Sequence, residues 1–466
     1  MHPEGYRASL FLKLPLLSVL LFACEAPPEA LPDGELLAVG TQQQRLYGNP
    51  ASYWLTSPEG LTDVPVCWLT AGMDTEKGWV RETVESQWDM WSSVRFTGWG
   101  PCNASTPPFA IRIQVDESTP RAYVGRTNLN PSMWLNFNFN SWSTACSDWW
   151  DNFPGDDREY CIRGVALHEF GHALGFFHEQ DSPGNQPGTS GYCDNTVTHQ
   201  NGTMITVYDS YSTMNYCAEW GRPTLSALDL EGLRIAYGVP PFEFSSLGTR
   251  PWSACTQLSE SADPYTWNDN YLCSASPQGL RWSAVGPIAG QRCTQLLETS
   301  DPHTWDDNYL CVPPESPVQF TWSSVGPIAG QRCTQLLEAS DPHSWDNNYL
   351  CFSQRLVFSP WGRVAGYFCN QIKEASDPHS WNDNWLCSQV DEGIRFSSTG
   401  PIANMKCTLV NEPSDPHTWN DNYVCVPNTS NLNFQWSAVG PVQGKTCVQW
   451  NEPSDPDAWN DNYLCY

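Results

Sequence analysis

Residues 168–179 read HEFGHALGFFHE, which places three histidines and one glutamate in the spacing H-E-x-x-H-x-x-G-x-x-H. Two histidines four residues apart lie one above the other on the same face of a helix, so His168 and His172 can face one metal ion. Gly175 is predicted to end the helix, because glycine takes a positive φ without a Cβ clash. The chain then turns and brings His178 to the same ion as a third ligand.

Three neutral imidazoles leave one coordination position open, which is the donor set of a catalytic Zn²⁺ site. Glu169 follows the first ligand directly, and a glutamate in that place can accept the proton of a metal-activated water. The apolar run 165–167 extends the same helix, which is predicted from Arg158 to Gly175. A helix that only buries two histidines would need neither Gly175 nor His178. The sequence therefore predicts one zinc ion in a hydrolytic site.

This stretch resembles the zinc motif of the metzincin clan of metallopeptidases, and GFFHE at 175–179 is most similar to the astacin family. Residues 212–216, STMNY, resemble the Met-turn of astacins, S-x-M-x-Y. The resemblance implies that Met214 packs beneath the zinc ligands. It also implies that Tyr216 binds zinc in the resting enzyme and then stabilises the tetrahedral oxyanion; the alternative is a buried tyrosine with a hydrogen-bonded hydroxyl. The chain departs from the family at Asn215, where astacins usually carry histidine.

The resemblance also assigns a role to Glu179. In astacins the glutamate after the third histidine supports the site by binding the new N-terminus of the mature enzyme, and Glu179 matches that residue. Residues 25–60 are predicted to be a tether or a short pro-segment.

The first 24 residues are predicted to be an export signal. Arg7 and Lys13 accompany an apolar core that is too short to span a bilayer as a helix. The core ends in LFAC at 21–24, which resembles a bacterial lipobox and implies that Cys24 is lipidated; the alternative is an ordinary secretory signal. Setting Cys24 apart leaves eighteen of the nineteen cysteines, an even number that can pair completely.

Residues 61–240 are predicted to form an α+β, metzincin-like catalytic domain. The periodicity of apolar residues predicts strands at 64–69 and 109–115 and a helix over 76–94. Residues 133–139 alternate polar and apolar side chains. This segment is either a half-buried strand or, as the resemblance implies, the edge strand that pairs with the substrate backbone.

The last helix of this domain is predicted at 225–238, with Ser226 as N-cap and Asp229 completing a variant of the capping box. The six cysteines of the domain allow fifteen sets of pairings. Pairing between neighbours in the sequence is favoured, which gives Cys67–Cys102, Cys146–Cys161 and Cys193–Cys217.

Residues 244–466 consist of six repeats of 36 to 40 residues, which are predicted to be β-rich. In each repeat an aromatic residue lies eleven positions before the first cysteine, and Glu, Asp, Trp and Asn follow that cysteine at +5, +8, +12 and +15. One disulfide in each repeat would stabilise a unit of this size by about 3 kcal/mol. The predicted pairs are Cys255–Cys273, Cys293–Cys311, Cys333–Cys351, Cys369–Cys387, Cys407–Cys425 and Cys447–Cys465.

Two questions about the repeats stay open from the sequence. Six units fit a six-bladed propeller, two trefoils or beads on a string. The recurring Trp and acidic residues fit either carbohydrate-binding platforms or the core and turns of each unit, and identity in every copy favours the core. Calcium binding by the carboxylates is not supported by any known spacing of loop ligands.

The overall composition narrows the classes of partner. The net charge is −28 at pH 7, which argues against nucleic acid as a partner, since phosphate contacts need Lys and Arg. Contact with a membrane is expected only through a lipid on Cys24. The high number of cysteines indicates an oxidising compartment, and the protein is expected to be secreted or held at a bacterial surface or outer membrane.

The sequence thus predicts a multidomain, exported zinc-dependent endopeptidase, an α+β catalytic domain followed by an all-β repeat region. Its predicted partners are a protein or peptide substrate and, for the repeats, a surface glycan or a protein ligand. The alternative is a surface adhesion or carbohydrate-binding protein whose protease domain is minor or latent.

Overall fold

A computed structural model describes two regions, which we name the N-terminal region (46–240) and the repeat region (241–466). No helix within the described part of the chain is long and apolar enough to cross a membrane. The predicted signal with Cys24, and most of the predicted segment 25–60, lie outside the described residues. Those residues are 46–57, 60–139, 157–194, 202–217, 222–261, 269–276, 278–297, 306–329, 331–337, 347–374, 383–415, 417, 419–452, 455 and 461–466.

The described part of the N-terminal region contains seven strands and three α-helices. The strands are β1 (Tyr47–Gly48), β2 (Thr62–Trp68), β3 (Val94–Pro101), β4 (Ile111–Val115), β5 (Arg121–Ala122), β6 (Met133–Leu135) and β7 (Thr203–Met204). The helices are α1 (Asp74–Val84), α2 (Asp157–Ala173) and α3 (Ala227–Ala236). One π-helical turn (Glu85–Asp89) follows α1, and two short 3-10 turns lie at Pro50–Ser52 and Glu179–Asp181.

Five of these strands form one sheet in the order β3-β2-β4-β6-β5, and β1 pairs with β7 in a separate two-stranded sheet. Strands β2, β3, β4 and β6 run parallel, whereas β5 is antiparallel to β6 and forms one edge. Alternate residues of β4 and β6 are buried, because successive side chains of a strand point to opposite faces. One face of the sheet therefore supplies apolar residues to the core shared with α2.

Of the two alternatives for residues 133–139, the edge strand is wrong, and a half-buried strand is present at Met133–Leu135. Strand β6 ends at Leu135 and lies between β4 and β5. The amide oxygen of Asn136 accepts hydrogen bonds from the backbone N–H groups of Asn138 and Phe139, at 2.9 and 3.0 Å, and so turns the chain. The edge position belongs to β5.

Two helices differ in length from the sequence prediction. The helix predicted over 76–94 ends at Val84, and the π-helical turn after it reaches only Asp89. Helix α3 begins after Ser226, whose side chain accepts the N–H of Asp229 at 2.9 Å, while Asp229 accepts the N–H of Ser226 at 3.1 Å. This reciprocal pair is a capping box.

The described disulfides of the N-terminal region are Cys67–Cys102 and Cys193–Cys217. Cys146 lies outside the described residues, so its pairing with Cys161 stays a prediction. The Cys193–Cys217 bond ties the loop that follows His178 to the residue next to Tyr216.

Each repeat is a three-stranded antiparallel sheet whose third strand lies between the first two. We number the repeats 1 to 6 in chain order. Their strands are β8 (Phe242–Ser245), β9 (Ala254–Gln257) and β10 (Tyr271–Ser274); β11 (Arg281–Ser283), β12 (Arg292–Gln295) and β13 (Tyr309–Val312); β14 (Gln319–Ser323), β15 (Arg332–Gln335) and β16 (Tyr349–Ser353); β17 (Leu356–Ser359), β18 (Phe368–Gln371) and β19 (Trp385–Ser388); β20 (Arg395–Ser397), β21 (Met405–Leu409) and β22 (Tyr423–Pro427); β23 (Gln435–Ser437), β24 (Cys447–Trp450) and β25 (Asn462–Cys465).

The two cysteines of each repeat face each other across its second and third strands. This register brings the two cysteines of every repeat within bonding distance, so one disulfide links the second and third strands of each repeat. The bonds are Cys255–Cys273, Cys293–Cys311, Cys333–Cys351, Cys369–Cys387, Cys407–Cys425 and Cys447–Cys465.

The six repeats form two closed rings of three, which is the two-trefoil alternative. In the first ring β9 contacts β11, β12 contacts β14 and β15 returns to β8; the second ring repeats the pattern with β18–β20, β21–β23 and β24–β17. Each ring has its own apolar core. Repeat 1 begins at Phe242, two residues before the predicted boundary. The phenyl group of Phe242 packs against Phe320 and Phe352 in the core of the first ring of repeats.

The recurring aromatic residues serve the ring cores. Phe358 is fully buried, while Trp282, Trp322 and Trp436 pack against the core with their indole N–H groups donating to backbone carbonyls of the preceding repeat. Trp419, the described tryptophan at +12, is also buried. Packing in the ring cores therefore accounts for these described side chains.

The repeat region packs tightly on the N-terminal region. Trp252 of repeat 1 is fully buried, and its indole N–H donates to the carbonyl of Met90 at 2.9 Å. Buried Glu243 pairs with Arg95 of the N-terminal region at 2.5 Å and with Arg250 at 2.7 Å. Val239 pairs with Val364 of repeat 4 in a parallel β-bridge. The two regions therefore share one buried apolar and ionic interface.

Replacing Trp252 with alanine should destabilise both regions together. A fully buried large side chain and one hydrogen bond are lost, so the free energy of unfolding should fall by about 3–5 kcal/mol. The measurement is calorimetric unfolding of the full chain. Leu247→Ser, at an exposed position of the same repeat, is the control and should change stability by less than about 0.5 kcal/mol. A separate early transition of the repeats alone would contradict the shared interface.

Candidate metal centre

Helix α2 positions the first two histidines and fixes their ring orientation. His168 and His172 lie one helical turn apart, and their ring centroids are 4.7 Å apart. The Nδ1 of His168 lies 2.8 Å from the carbonyl oxygen of Thr213, and the Nδ1 of His172 lies 2.8 Å from that of Phe176. Because a carbonyl accepts only, each Nδ1 carries the proton and each Nε2 presents a lone pair.

A glycine turn brings the third histidine to the same point. Gly175 has φ +97°, and the N–H groups of Gly175 and Phe176 donate to the carbonyls of His172 and Gly171. This is the hydrogen-bond pattern of a Schellman C-cap, which reverses the chain after α2. The Nε2 of His178 then lies 3.0 Å from the Nε2 of His172.

The three imidazoles form a cluster that can hold a metal ion. One nitrogen from each of His168, His172 and His178 lies within 4.8 Å of the others. Burial lowers the pKa of His168 to about 4 and that of His178 to about 3, and it lowers the pKa of His172 well below its ordinary value. All three rings are therefore neutral near pH 7, as metal ligands must be. Among the described residues this is the one such cluster of His, Cys, Asp or Glu.

Glu169 lies buried beside this cluster. Burial raises the pKa of its carboxyl to about 8, and Arg121 acts in the opposite direction. Its Oε2 and the Nε2 of His168 are buried and have no hydrogen-bond partner within the part of the chain that the structure describes. Buried polar atoms normally have partners, so these two fit a bound cation and its water.

The side chain of Met214 packs closely against the backbone of α2 at Gly171. The Met214 side chain is fully buried, and a Cβ built on Gly171 would overlap its sulfur. Gly171 lies on α2 between the two helical histidines, so its lack of a side chain lets the sulfur approach the backbone that carries them. No sequence motif assigned a role to Gly171; its signal was a glycine inside a helix, which normally costs stability.

Tyr216 lies across the cluster from α2. Its ring centroid is 4.3 Å from that of His178 and 5.5 Å from that of His168. Burial raises the pKa of Tyr216 to about 12, with Glu169 and Asp181 adding to the effect. The phenol therefore keeps its proton near neutral pH.

Glu179 connects the third histidine to the Met-turn. Its backbone N–H donates to the carbonyl of Met214 at 2.9 Å, and its fully buried carboxylate accepts the N–H of Asp209 at 3.0 Å. Burial raises the pKa of Glu179 well above its ordinary value, which the backbone N–H groups of Asp209 and Tyr47 oppose. Asp229 anchors the same turn, accepting the Ser212 hydroxyl at 2.6 Å. The sequence indicated Asp229 only as a helix cap.

Comparisons with known proteins add little to this geometry. No protein-family model and no curated protein sequence matches the chain. Among solved structures, myroilysin aligns with a TM-score of 0.28 and 18% identity over 41% of this chain and 98% of its own. High choriolytic enzyme 1, a hatching enzyme zinc protease from Oryzias latipes (medaka fish), aligns with a TM-score of 0.28 and 18% identity over 41% of this chain and 96% of its own. Both likenesses are too distant to carry an argument about function.

Replacing Gly171 with alanine should weaken metal binding. The new methyl group displaces the Met214 sulfur and shifts the helical backbone that carries two ligands, so affinity should fall about tenfold or more, as when ligand-supporting groups are lost. Competition with a zinc chelator measures the effect. The control is Gly78→Ala in α1, where a Cβ meets nothing within 4 Å. Equal affinity in both variants would contradict the supporting role of Met214.

Proposed function

We propose that this protein is a zinc-dependent endopeptidase that acts outside the cytoplasm. The observation that carries the proposal is the convergence of three neutral imidazoles beside a buried glutamate. His168, His172 and His178 would hold the zinc ion through nitrogen atoms. The disulfides of both regions fit an oxidising compartment.

Each residue around the ion would have a separate role in peptide hydrolysis. When bound, zinc acts as a Lewis acid toward the scissile carbonyl and makes water more acidic. In its carboxylate form, which the positive charge of a bound ion would favour over the protonated form, Glu169 accepts the proton of the attacking water and passes it to the leaving amine nitrogen. The Tyr216 hydroxyl donates a hydrogen bond to the oxyanion, where a preorganised donor lowers the barrier. The carbonyls of Thr213 and Phe176 hold two imidazoles in the ligating tautomer.

The substrate backbone is proposed to pair with β5. The resemblance to metzincins implies pairing with an edge strand, and of the two edge strands, β3 and β5, the one beside α2 is β5 (Arg121–Ala122). This strand runs beside α2, and the N–H of Gly125 shortly after it donates to the carbonyl of His172 at 2.8 Å. An extended peptide added at this edge would lie along the zinc site.

Glu179 is proposed to receive a new N-terminus on activation, as the resemblance implies. Leu46 and Tyr47 are buried, and the Tyr47 N–H is one of the groups that stabilise the Glu179 carboxylate. Asp209 and Asp229 add negative charge nearby. An α-ammonium group in this pocket would neutralise a carboxylate that otherwise costs free energy to bury.

Glu169→Gln should abolish cleavage while leaving the metal bound. The amide keeps the shape of the side chain but takes no proton, so kcat for a quenched fluorescent peptide should fall at least about 100-fold. Elemental analysis should still give one zinc per chain. Glu82→Gln, at an exposed site on α1, is the control and should keep full activity. Full cleavage by the Glu169 variant would sink the proposed mechanism.

N-terminal sequencing of the active protein should give Leu46 or Tyr47 as the first residue. Cleavage after Arg45 or Leu46 places the new ammonium in the pocket of Glu179, which explains the burial of that carboxylate. In parallel, intact-mass measurement should show that the inactive precursor is longer. A fully active protein that begins at Cys24 with its lipid attached would contradict this activation step while leaving the zinc chemistry intact.

A further inference from the structure

All six repeats carry the same surface turn, which we name the tip. It consists of the residue eight positions before the first cysteine and the glycine after it. The N–H of this glycine donates to the backbone carbonyl of the residue at +14, at 2.7 to 2.9 Å in every repeat. The tip residues are Leu247, Val285, Val325, Trp361, Thr399 and Val439, and the residues at +14 are Asp269, Asp307, Asn347, Asp383, Asp421 and Asp461.

The tip of repeat 4 already binds a protein surface, the last turn of α3. Asp383 pairs with Arg234 of that turn at 3.7 Å. The backbone of Gly362 lies against the Arg234 stem, because a Cβ built there would be 2.6 Å from that of Arg234. Trp361 packs against the apolar cluster that includes Val239. The tip thus combines an apolar contact, a close backbone approach and a carboxylate for a guanidinium.

The other five tips have the same turn, and no such cover lies over them among the described residues. Leu247, Val285, Val325 and Val439 are 87 to 89% exposed, and Thr399 is exposed as well. The +14 residues of these repeats are all exposed, and four of the five are aspartate. An apolar side chain contributes nothing to the fold at such exposure, yet four of the five copies keep one. Recurrence at one position distinguishes these residues from the scattered apolar residues of any surface.

We propose that the tips of repeats 1, 2, 3, 5 and 6 are docking sites for a protein partner that presents an arginine among apolar residues at a helix end. Repeat 4 shows this chemistry within the chain. The charge of −28 favours a basic partner and repels anionic lipid headgroups and nucleic acid.

Several tips act together in this arrangement. A single exposed ion pair contributes little affinity, since water and salt screen it. The three repeats of a ring are related by rotation, so equivalent tips of one ring lie at the same end of it. A partner with several arginines, or a surface coated with it, would therefore engage more than one tip and gain avidity.

The test uses the chain's own docked segment as the probe. A peptide of residues 225–240, in which Asp229→Asn and Glu231→Gln leave Arg234 as the one charged side chain, is immobilised at high density, and the full-length chain carrying Glu169→Gln is passed over it. This variant cannot hydrolyse the peptide if the proposed function holds, and binding itself requires no catalysis. Retention should fall at least tenfold between 0.05 and 0.5 M NaCl, roughly the range over which the screening length drops from about 14 to 4 Å.

Substitutions distinguish binding by the tip carboxylates from a general effect of the negative charge of the protein. Neutralising the tip carboxylates should reduce retention at least tenfold, in the variant Asp269→Asn, Asp307→Asn, Asp421→Asn, Asp461→Asn. A control that removes four exposed carboxylates away from the tips should retain binding, in the variant Glu82→Gln, Glu117→Gln, Asp194→Asn, Asp391→Asn. A peptide with Arg234→Gln should bind at least tenfold less. Equal binding of both peptides, or equal loss in both protein variants, would overturn the proposal, as would binding to phosphatidylcholine or phosphatidylglycerol vesicles in place of the peptide.

Discussion

The candidate site depends on one turn of backbone at Gly175. Two ligands leave a rigid helix in one direction, and the third must return from the opposite side within three residues. Only a left-handed residue reverses the chain that sharply, and at φ +97° a side chain would be strained and would also meet the ring of Tyr53. The same turn places the Phe176 carbonyl where it holds the tautomer of His172. Ligand position and ligand chemistry therefore follow from one conformational constraint.

The interface between the two regions joins the repeats and the N-terminal region in one folded unit. Arg95 is held between Asp89 and the Glu243 of repeat 1, and burial raises the pKa of Asp89 to about 6 while Arg95 opposes it. Removing the repeats would take away Glu243, the strongest partner of Arg95. Loss of one member of a buried ion pair costs more stability than the pair contributes. Separate expression of the two regions is therefore a poor test of which one carries function. Substitutions in the intact chain keep this interface and are the sharper tool.

Sequence patterns predicted the parts of the structure that local chemistry controls. The spacing of His168, His172 and His178, the capping box at Ser226 and the cysteine spacing of the repeats are each set within a few residues or by a strict period. Strand β5 was missed because a two-residue strand shows no periodicity, and the early end of β6 was missed because Asn136 turns the chain through its own side chain. Gly171 was missed because its role depends on Met214, 43 residues away in a loop. Ring closure was undecided, since contacts between repeats leave no local signature.

Residues that are identical in every repeat are explained by folding, whereas residues that vary are explained by what each repeat contacts. The asparagine at +15 is fully buried in all six copies, so each unit needs it to fold. The tip is the reverse case, since its glycine is constant and supplies the turn, whereas the residue before it is free to vary. Repeat 4 carries tryptophan there and binds α3, while the others carry smaller, mostly apolar residues and remain open. Because each turn is fixed by its own repeat, a change at one tip alters what that repeat binds without altering the ring. A repeat array built in this way can diversify its contacts one unit at a time while the N-terminal region stays anchored through repeats 1 and 4.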